Sequence, residues 1–355
     1  MRLFSVGFGG TFSPSRSQRS DPHSRDRVFD IARGLAILVM VSGHILPQPY
    51  SLLAYVLNMP FFFFVGGYLF RGHEPFGEFL HRKAHQFLVP YFGLLLLLHA
   101  VKIALDGGTD DLHTLTWRML YGGELLQGWF AVFWFPPCYF ATLVCYHWLN
   151  HRVSSRALWA IMAGSTGLAL LNQWAAPAFH LPLALNVVAM ALPIYHLGAM
   201  ARRLRIHATR QGVLTLLAAL ITLAYIAAAL HFQAPPLAMK RASYGWPLVS
   251  VLASLSACLP LLFIAHVAAQ LPGLNSLLQQ VGVAALTVMY LHQPLQYVIA
   301  DHFGLHHPFA RYCLSVALAL AAHRLIERNE AARWLFLGTR RAPVLATSAP
   351  PVKPG

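Results

Sequence analysis

Charged residues are scarce in this chain. Only 11% of its 355 residues are Asp, Glu, Lys or Arg, less than half the roughly 25% of a soluble domain, which excludes an ordinary water-soluble globule. Acidic residues are scarcer still, 12 against 26 Lys and Arg, so the formal net charge is +14. Cysteine is nearly absent. Cys138, Cys145, Cys258 and Cys313 stand singly within apolar runs, without C-x-x-C or finger spacing. That excludes a disulfide framework and a cysteine-based zinc module and leaves them as small buried hydrophobes. No phosphate-binding glycine loop, G-x-S-x-G elbow or dinucleotide fingerprint lies in a strand-to-helix context. The interleaving of cations with aromatics that marks a nucleic-acid groove is missing too, so no nucleic-acid partner is expected despite the charge.

What is abundant is hydrocarbon: 57% of residues are hydrophobic and the mean hydropathy is +0.54. Apolar runs of the roughly 20 residues needed to cross a bilayer core fall near 28–48, 51–70, 87–105, 128–149, 157–174, 182–200, 212–231, 246–268, 281–300 and 309–326. The expected fold class is all-α, a polytopic membrane helix bundle of about ten transmembrane helices. Pro60, Pro136, Pro137, Pro193 and Pro294 interrupt several runs, which a bundle tolerates where neighbours re-satisfy the freed backbone. Residues 1–26 and 339–355 are rich in Arg, Ser, Gly, Pro and Ala without periodicity. They are expected to be disordered tails flanking a membrane domain over 27–338, and the first of them lacks the apolar core of a secretory signal.

Threading ten spans sorts the cations. Arg25, Arg27, Arg33, Arg71, Arg82, Lys83, Arg152, Arg156, Arg202, Arg203, Arg205, Arg210, Arg324 and Arg328 fall on one side with both tails, leaving Lys102, Arg118, Lys240, Arg241 and Arg311 on the other. By the positive-inside bias, both termini are expected in the cytoplasm. The outer loop after the third span carries Asp106, Asp110, Asp111 and Glu124, a wet acidic connection or a weak cation site.

The first span, RVFDIARGLAILVMVSGHILPQ, holds Asp30, Arg33 and His44, groups that are expensive in a membrane unless they face a partner or water. Arg33 and His44 are eleven residues apart, close to three helical turns, so they share a face and lie about 16 Å apart along the axis. Asp30 precedes Arg33 by three residues and can pair with it. Two readings stand at this point: interface anchors with a satisfied core histidine, or a functional line of groups.

The stretch resembles the opening of the acyltransferase-3 family of integral membrane O-acyltransferases, with its D-x-x-R-G-x-A signature and R-x10-H pair. The resemblance continues in order through NMPFFFFVGGYLF (58–70), FLHRKAHQFLVPYF (79–92), FWF (133–135) and MYLHQPL (289–295). The ending RLIERNEAARWLFLG (324–338) is similar to the fucose 4-O-acetylase-like branch.

Membership implies transfer of an acyl group, usually acetyl from cytoplasmic acetyl-CoA, to a hydroxyl of a surface or extracellular polysaccharide or its lipid-linked precursor. It implies a multi-pass protein of the bacterial inner membrane, in contact with membrane lipid and a saccharide acceptor, and in reach of polysaccharide assembly machinery. A hydroxyl needs a base to become a nucleophile, and histidine titrates near working pH. His44 is the candidate base, with Arg33 and Asp30 beside it in the catalytic set. Arg33, Arg82, Lys83 and His85 are the candidate ligands for the CoA phosphates, which Arg binds well. His292, Trp134 and Tyr290 are candidates for the acceptor.

Two departures from the family pattern stand out. The third-helix R-x-x-R becomes Arg82-Lys83-Ala84-His85, and the Ser of S-G-Y-L becomes Gly66, removing a hydroxyl. No metal is expected, although Asp301, His302, His306 and His307 lie close in sequence. With no fused hydrolase-like domain expected, the membrane domain is expected both to accept and to deliver the acyl group. The alternative from another class is a proton-coupled transporter or permease for a glycan or small molecule, since intramembrane ionisable groups also mark ion paths.

Overall fold

Inside hydrocarbon a backbone has no partner but itself, so the long apolar runs fold as helices. The computed structural model describes residues 22–48, 50–106, 112–208 and 211–339. Most of residues 1–26 and 339–355, with Asp110, Asp111 and Arg210, lie outside the described residues. The helices are α1 (Pro22–Ile45), α2 (Tyr50–Leu69), α3 (Phe76–Asp106), α4 (Leu112–Tyr121), α5 (Phe135–Arg152), α6 (Ser155–Ala175), α7 (Val188–Arg203), α8 (Gly212–His231), α9 (Val249–Ala268), α10 (Leu274–Val283), α11 (Ala285–Asp301) and α12 (Pro308–Glu327). Between α8 and α9 a two-stranded antiparallel hairpin pairs β1 (Leu237–Ala238) with β2 (Ser243–Tyr244).

Among the described residues eight helices are long and apolar enough to cross a membrane, and nine if α10 and α11, bent by 79° at their junction, count as one broken span. The long helix outside that set is α6, which carries Arg156, Asn172 and Gln173 within its 21 residues. The expectation of an all-α polytopic bundle is met, and the count of ten is met in part. Pro136 and Pro137 lie inside the candidate span Gly128–Arg152, where its 3-10 and turn stretch gives way to α5; they occupy the first turn of that helix, where a missing N–H costs no helical bond. Pro60, Pro193 and Pro294 do lie within helices.

The α1 helix is central, packed against α2, α9, α10, α11 and α12. Its approach to α10 depends on glycine on both sides. A Cβ on Gly34 would come within 2.2 Å of the Leu278 carbonyl oxygen, and one on Gly282 within 1.7 Å of the Asp30 carbonyl oxygen. The core is mainly aliphatic and aromatic with buried polar groups such as His147, His196 and His292 among them, while outward-facing leucines such as Leu216 and Leu223 on α8 remain exposed, as a lipid-facing surface requires. Cys138 and Cys258 are buried as expected, but Cys145 and Cys313 are exposed, because they fall on outward faces of α5 and α12.

The two ends of the bundle differ chemically. At one, here the basic end, Arg202 donates to the Phe70 carbonyl at 3.2 Å, Arg203 to Asn150 at 3.0 Å, and Arg82 pairs with Glu74. At the other, the far end, Tyr121 meets the His180 carbonyl, Gln173 of α6 holds the hairpin, and His302 approaches Asp106 at 3.9 Å.

Candidate active site

A cavity of about 630 Å³ opens at the basic end and narrows into the bundle. Arg33, Arg71, Arg82, Lys83, Glu74 and His147 line its mouth. Ile37, Phe62, Val65, Phe135, Leu286 and Met289 make the rest of its wall apolar. The volume lies within the ~300–1,000 Å³ of small-molecule sites.

The close α1–α10 packing sets Arg33 at this mouth. Asp30 accepts a hydrogen bond from Arg33 at 2.8 Å, the pairing that the three-residue spacing implies, so Asp30 orients the guanidinium and lies far from His44. Arg82 stands over the Phe79 ring at 5.7 Å and donates through Nε to Glu74 at 2.9 Å. That hydrogen bond holds the Glu74 carboxyl below the usual carboxylate range. Lys83 donates to Gln86 at 2.8 Å and lies over Phe87 at 5.7 Å. His85, expected beside them, is not in the cavity wall. It turns to the other face of α3, where its Nδ1 lies 3.0 Å from the Gly338 carbonyl and its ring 5.2 Å from Trp334. The 333–338 segment packs on the side of α3 to which His85 turns, away from the cavity, so His85 fastens that segment.

His44, next to last in α1, meets His292 of α11 with ring centroids 5.3 Å apart. The two helices run alongside one another from the cavity: His44 is seven residues beyond Ile37 and His292 six beyond Leu286, so the pair stands about 10 Å past those wall residues. His292 is fully buried. Its Nδ1 lies 3.0 Å from the Val288 carbonyl oxygen, which only accepts, so Nδ1 carries the proton. Its Nε2 is buried without a partner. His44 is surrounded by the bundle yet its ring keeps an exposed surface, and it is not in the wall of the basic-end cavity. Its exposed surface therefore lies outside that cavity.

Lys240, beside the hairpin, is within electrostatic reach of His44 and donates to the Leu126 carbonyl at 2.6 Å. Burial pushes the Lys240 amine down to about 8, against the opposing pull of the Glu124 carboxylate. Glu124 also approaches Arg241 at 3.7 Å and takes a hydrogen bond from Gln127 at 3.2 Å. The acidic connection is thus internally paired at Glu124.

The aromatic candidates lie apart from this line. Trp134 is 6% exposed and packs on Phe135, which lines the cavity in its place. Tyr290 is fully buried against Phe133, centroids 4.6 Å apart, with no partner for its hydroxyl. Being two residues from His292, it points to a nearly opposite face of α11. Among the described residues no group of three or more His, Cys, Asp or Glu converges as metal ligands do. His307 instead caps α12 by accepting from the Ala310 N–H. Glu327 lies 3.4 Å from His323.

A family model described as an acyltransferase domain matches residues 26–325, a stretch holding the cavity mouth, both histidines and the hairpin. No curated protein matches the chain, and no solved structure does.

Proposed function

The chain belongs to the acyltransferase-3 family, and from that premise we propose that it moves an acetyl group from acetyl-CoA to a hydroxyl of a surface or extracellular saccharide or its lipid-linked precursor. The observation that carries this reading is the line from a cationic cavity mouth, along an apolar wall, toward the His44–His292 pair. CoA presents phosphates on one end and a thioester on the other. Arg33, Arg82 and Lys83 take the phosphates, for which guanidinium is well matched. The apolar wall takes the chain that carries the acyl group. The basic end then faces the cytoplasm of a bacterial inner membrane, where the donor is made.

His44 accepts the proton from the acceptor hydroxyl as the oxygen attacks the thioester carbonyl. The new C–O bond forms, the C–S bond breaks, and the proton passes on to the departing thiolate. His292 is a positioning residue in this scheme, its tautomer fixed by the Val288 carbonyl, and its unpartnered Nε2 is free for a proton or the acceptor hydroxyl. The exposed face of His44, outside the donor cavity, is the acceptor's approach, so donor and acceptor meet at one imidazole from opposite ends.

The test is labelled-acetyl transfer by membranes holding wild-type protein or His44→Ala. His44→Ala is expected to lower transfer at least about 100-fold, the usual scale for removing a general base, with acetyl-CoA binding to the purified variant retained. Persistent O-acetyl product in the variant would remove His44 from the role of base.

A further inference from the structure

Gly66 stands where the family pattern carries a serine, and the lost hydroxyl leaves an apolar stretch of cavity wall without a polar contact. The space is not empty. A Cβ built on Gly66 would lie 2.2 Å from the hydroxyl oxygen of Tyr139 and 3.0 Å from a ring carbon of Tyr195. Tyr139 comes from α5, a different helix, and all three residues line the cavity.

The Tyr139 ring is held on three sides, with centroids 5.6 Å from Phe63 and 5.3 Å from both Phe87 and Phe135. Its hydroxyl has no protein partner among the described residues and is not among the buried orphan atoms. It is therefore a fixed hydrogen-bonding group presented to the cavity. Arg33 lies within electrostatic reach of it, and Tyr139 precedes His147 of the mouth by eight residues on α5, about 12 Å along the axis, so the ring sits inward of the cationic mouth. A rigid ring with an unused donor, beside Phe62, Val65, Phe87 and Phe135 in the same wall, is suited to one polar atom of a mainly apolar chain.

We propose that the Tyr139 hydroxyl is a ligand-binding group of this cavity, donating to a carbonyl oxygen in the chain of the acyl thioester, and that Gly66 is required because it leaves the room Tyr139 occupies. This rests on the reading of the cavity as the acetyl-CoA site. The hydroxyl missing from α2 is thereby supplied across the cavity from α5. A serine at position 66 and a tyrosine at position 139 compete for one volume, so the two positions are coupled.

The experiment measures binding of acetyl-CoA and of acetyl-pantetheine, which lacks the nucleotide phosphates, to purified full-length protein. Wild type is expected to bind both. Tyr139→Phe keeps the ring contacts and removes only an atom with no protein partner, so its thermal unfolding midpoint should match wild type. Its affinity should fall about two- to twelvefold, one ordinary hydrogen bond, for both probes alike. Gly66→Ser alone should weaken binding by displacing Tyr139, and adding Tyr139→Phe to it should restore affinity rather than deepen the loss. Equal binding by wild type and Tyr139→Phe, or additive losses in the double variant, overturns the proposal while leaving the donor site standing. Failure of the wild-type protein to bind either probe overturns the donor site and this proposal together.

Discussion

The two ends of the bundle hold cations in opposite ways. At the basic end Arg33, Arg82 and Lys83 border an open cavity, and their acidic partners, Asp30 and Glu74, neutralise them only in part. At the far end Lys240 is bonded to a backbone carbonyl and Arg241 approaches Glu124, with the hairpin pinned by Gln173. In the proposed function one end receives an anionic ligand, while at the other Lys240 lies within electrostatic reach of His44. Net charge alone does not distinguish these uses. What separates them is whether the cation, besides its protein acceptor, also lines a cavity.

The comparison breaks most visibly at Arg33. Replacing it with Gln removes a guanidinium from the cavity mouth. Hydrogen bonds to charged groups are worth ~1.5–3 kcal/mol, so acetyl-CoA affinity should fall about 10- to 150-fold. Acetyl-pantetheine should bind nearly as well as to wild type, because it carries no nucleotide phosphate to lose. Equal losses for the two probes would take Arg33 out of phosphate recognition.

A smaller effect is expected at the far end. The Lys240 amine is pushed down to about 8, so the folded protein releases a proton that the unfolded chain keeps until an ordinary lysine pKa near 10.4. The unfolded state then binds more protons between those values, and stability rises with pH across that window. The desolvation of the charged amine, about 1–2 kcal/mol once its partial exposure is discounted, is present below pH 8 and relieved above it. Lys240→Met should therefore be more stable than wild type at pH 7, with the gap in unfolding free energy closing toward pH 10. A gap that stays constant over that range would mean Lys240 is solvated like a surface lysine. Acetyl-CoA affinity should be unchanged in the variant, which keeps the two ends separable.

Much of the basic end was legible in the sequence because its signals are local. A separation of three positions from Asp30 to Arg33 implies their pair, one of eleven from Arg33 to His44 implies a shared face, and the side-sorting of cations points to Arg82 and Lys83. The far end rests on contacts between segments distant in sequence. Nothing near His44 announces His292, and nothing in the hairpin announces that Lys240 reaches Leu126. His85 was misplaced because spacing along α3 does not reveal that the 333–338 segment claims one of its faces. Trp134 lost its place in the cavity wall to Phe135 because α5 starts there, with Pro136 and Pro137 in its first turn and Trp134 just ahead of it. The tyrosine facing Gly66 had no local signal at all.

The smallest expected effect sharpens the basic end from within. Glu74 and a bound phosphate compete for the same guanidinium of Arg82. Both Glu74 and Arg82 are partly exposed, and such pairs are worth ~0.2–1 kcal/mol, so the competition is weak but has a sign. Glu74→Gln frees Arg82 and should tighten acetyl-CoA binding by up to about fivefold, the upper end of that range. Arg82→Gln should do the reverse, and the double variant should show no further gain over Arg82→Gln, since Glu74 then has no cation to withhold. The Glu74 carboxyl is held below the usual carboxylate range by that hydrogen bond, so lowering the pH toward an ordinary carboxylate pKa near 4.3 should not mimic Glu74→Gln. Tightening that appears already near pH 4.3 in wild type would mean the Arg82 pair does not hold the carboxylate, and the contrast between an open and a satisfied end would lose its simplest support.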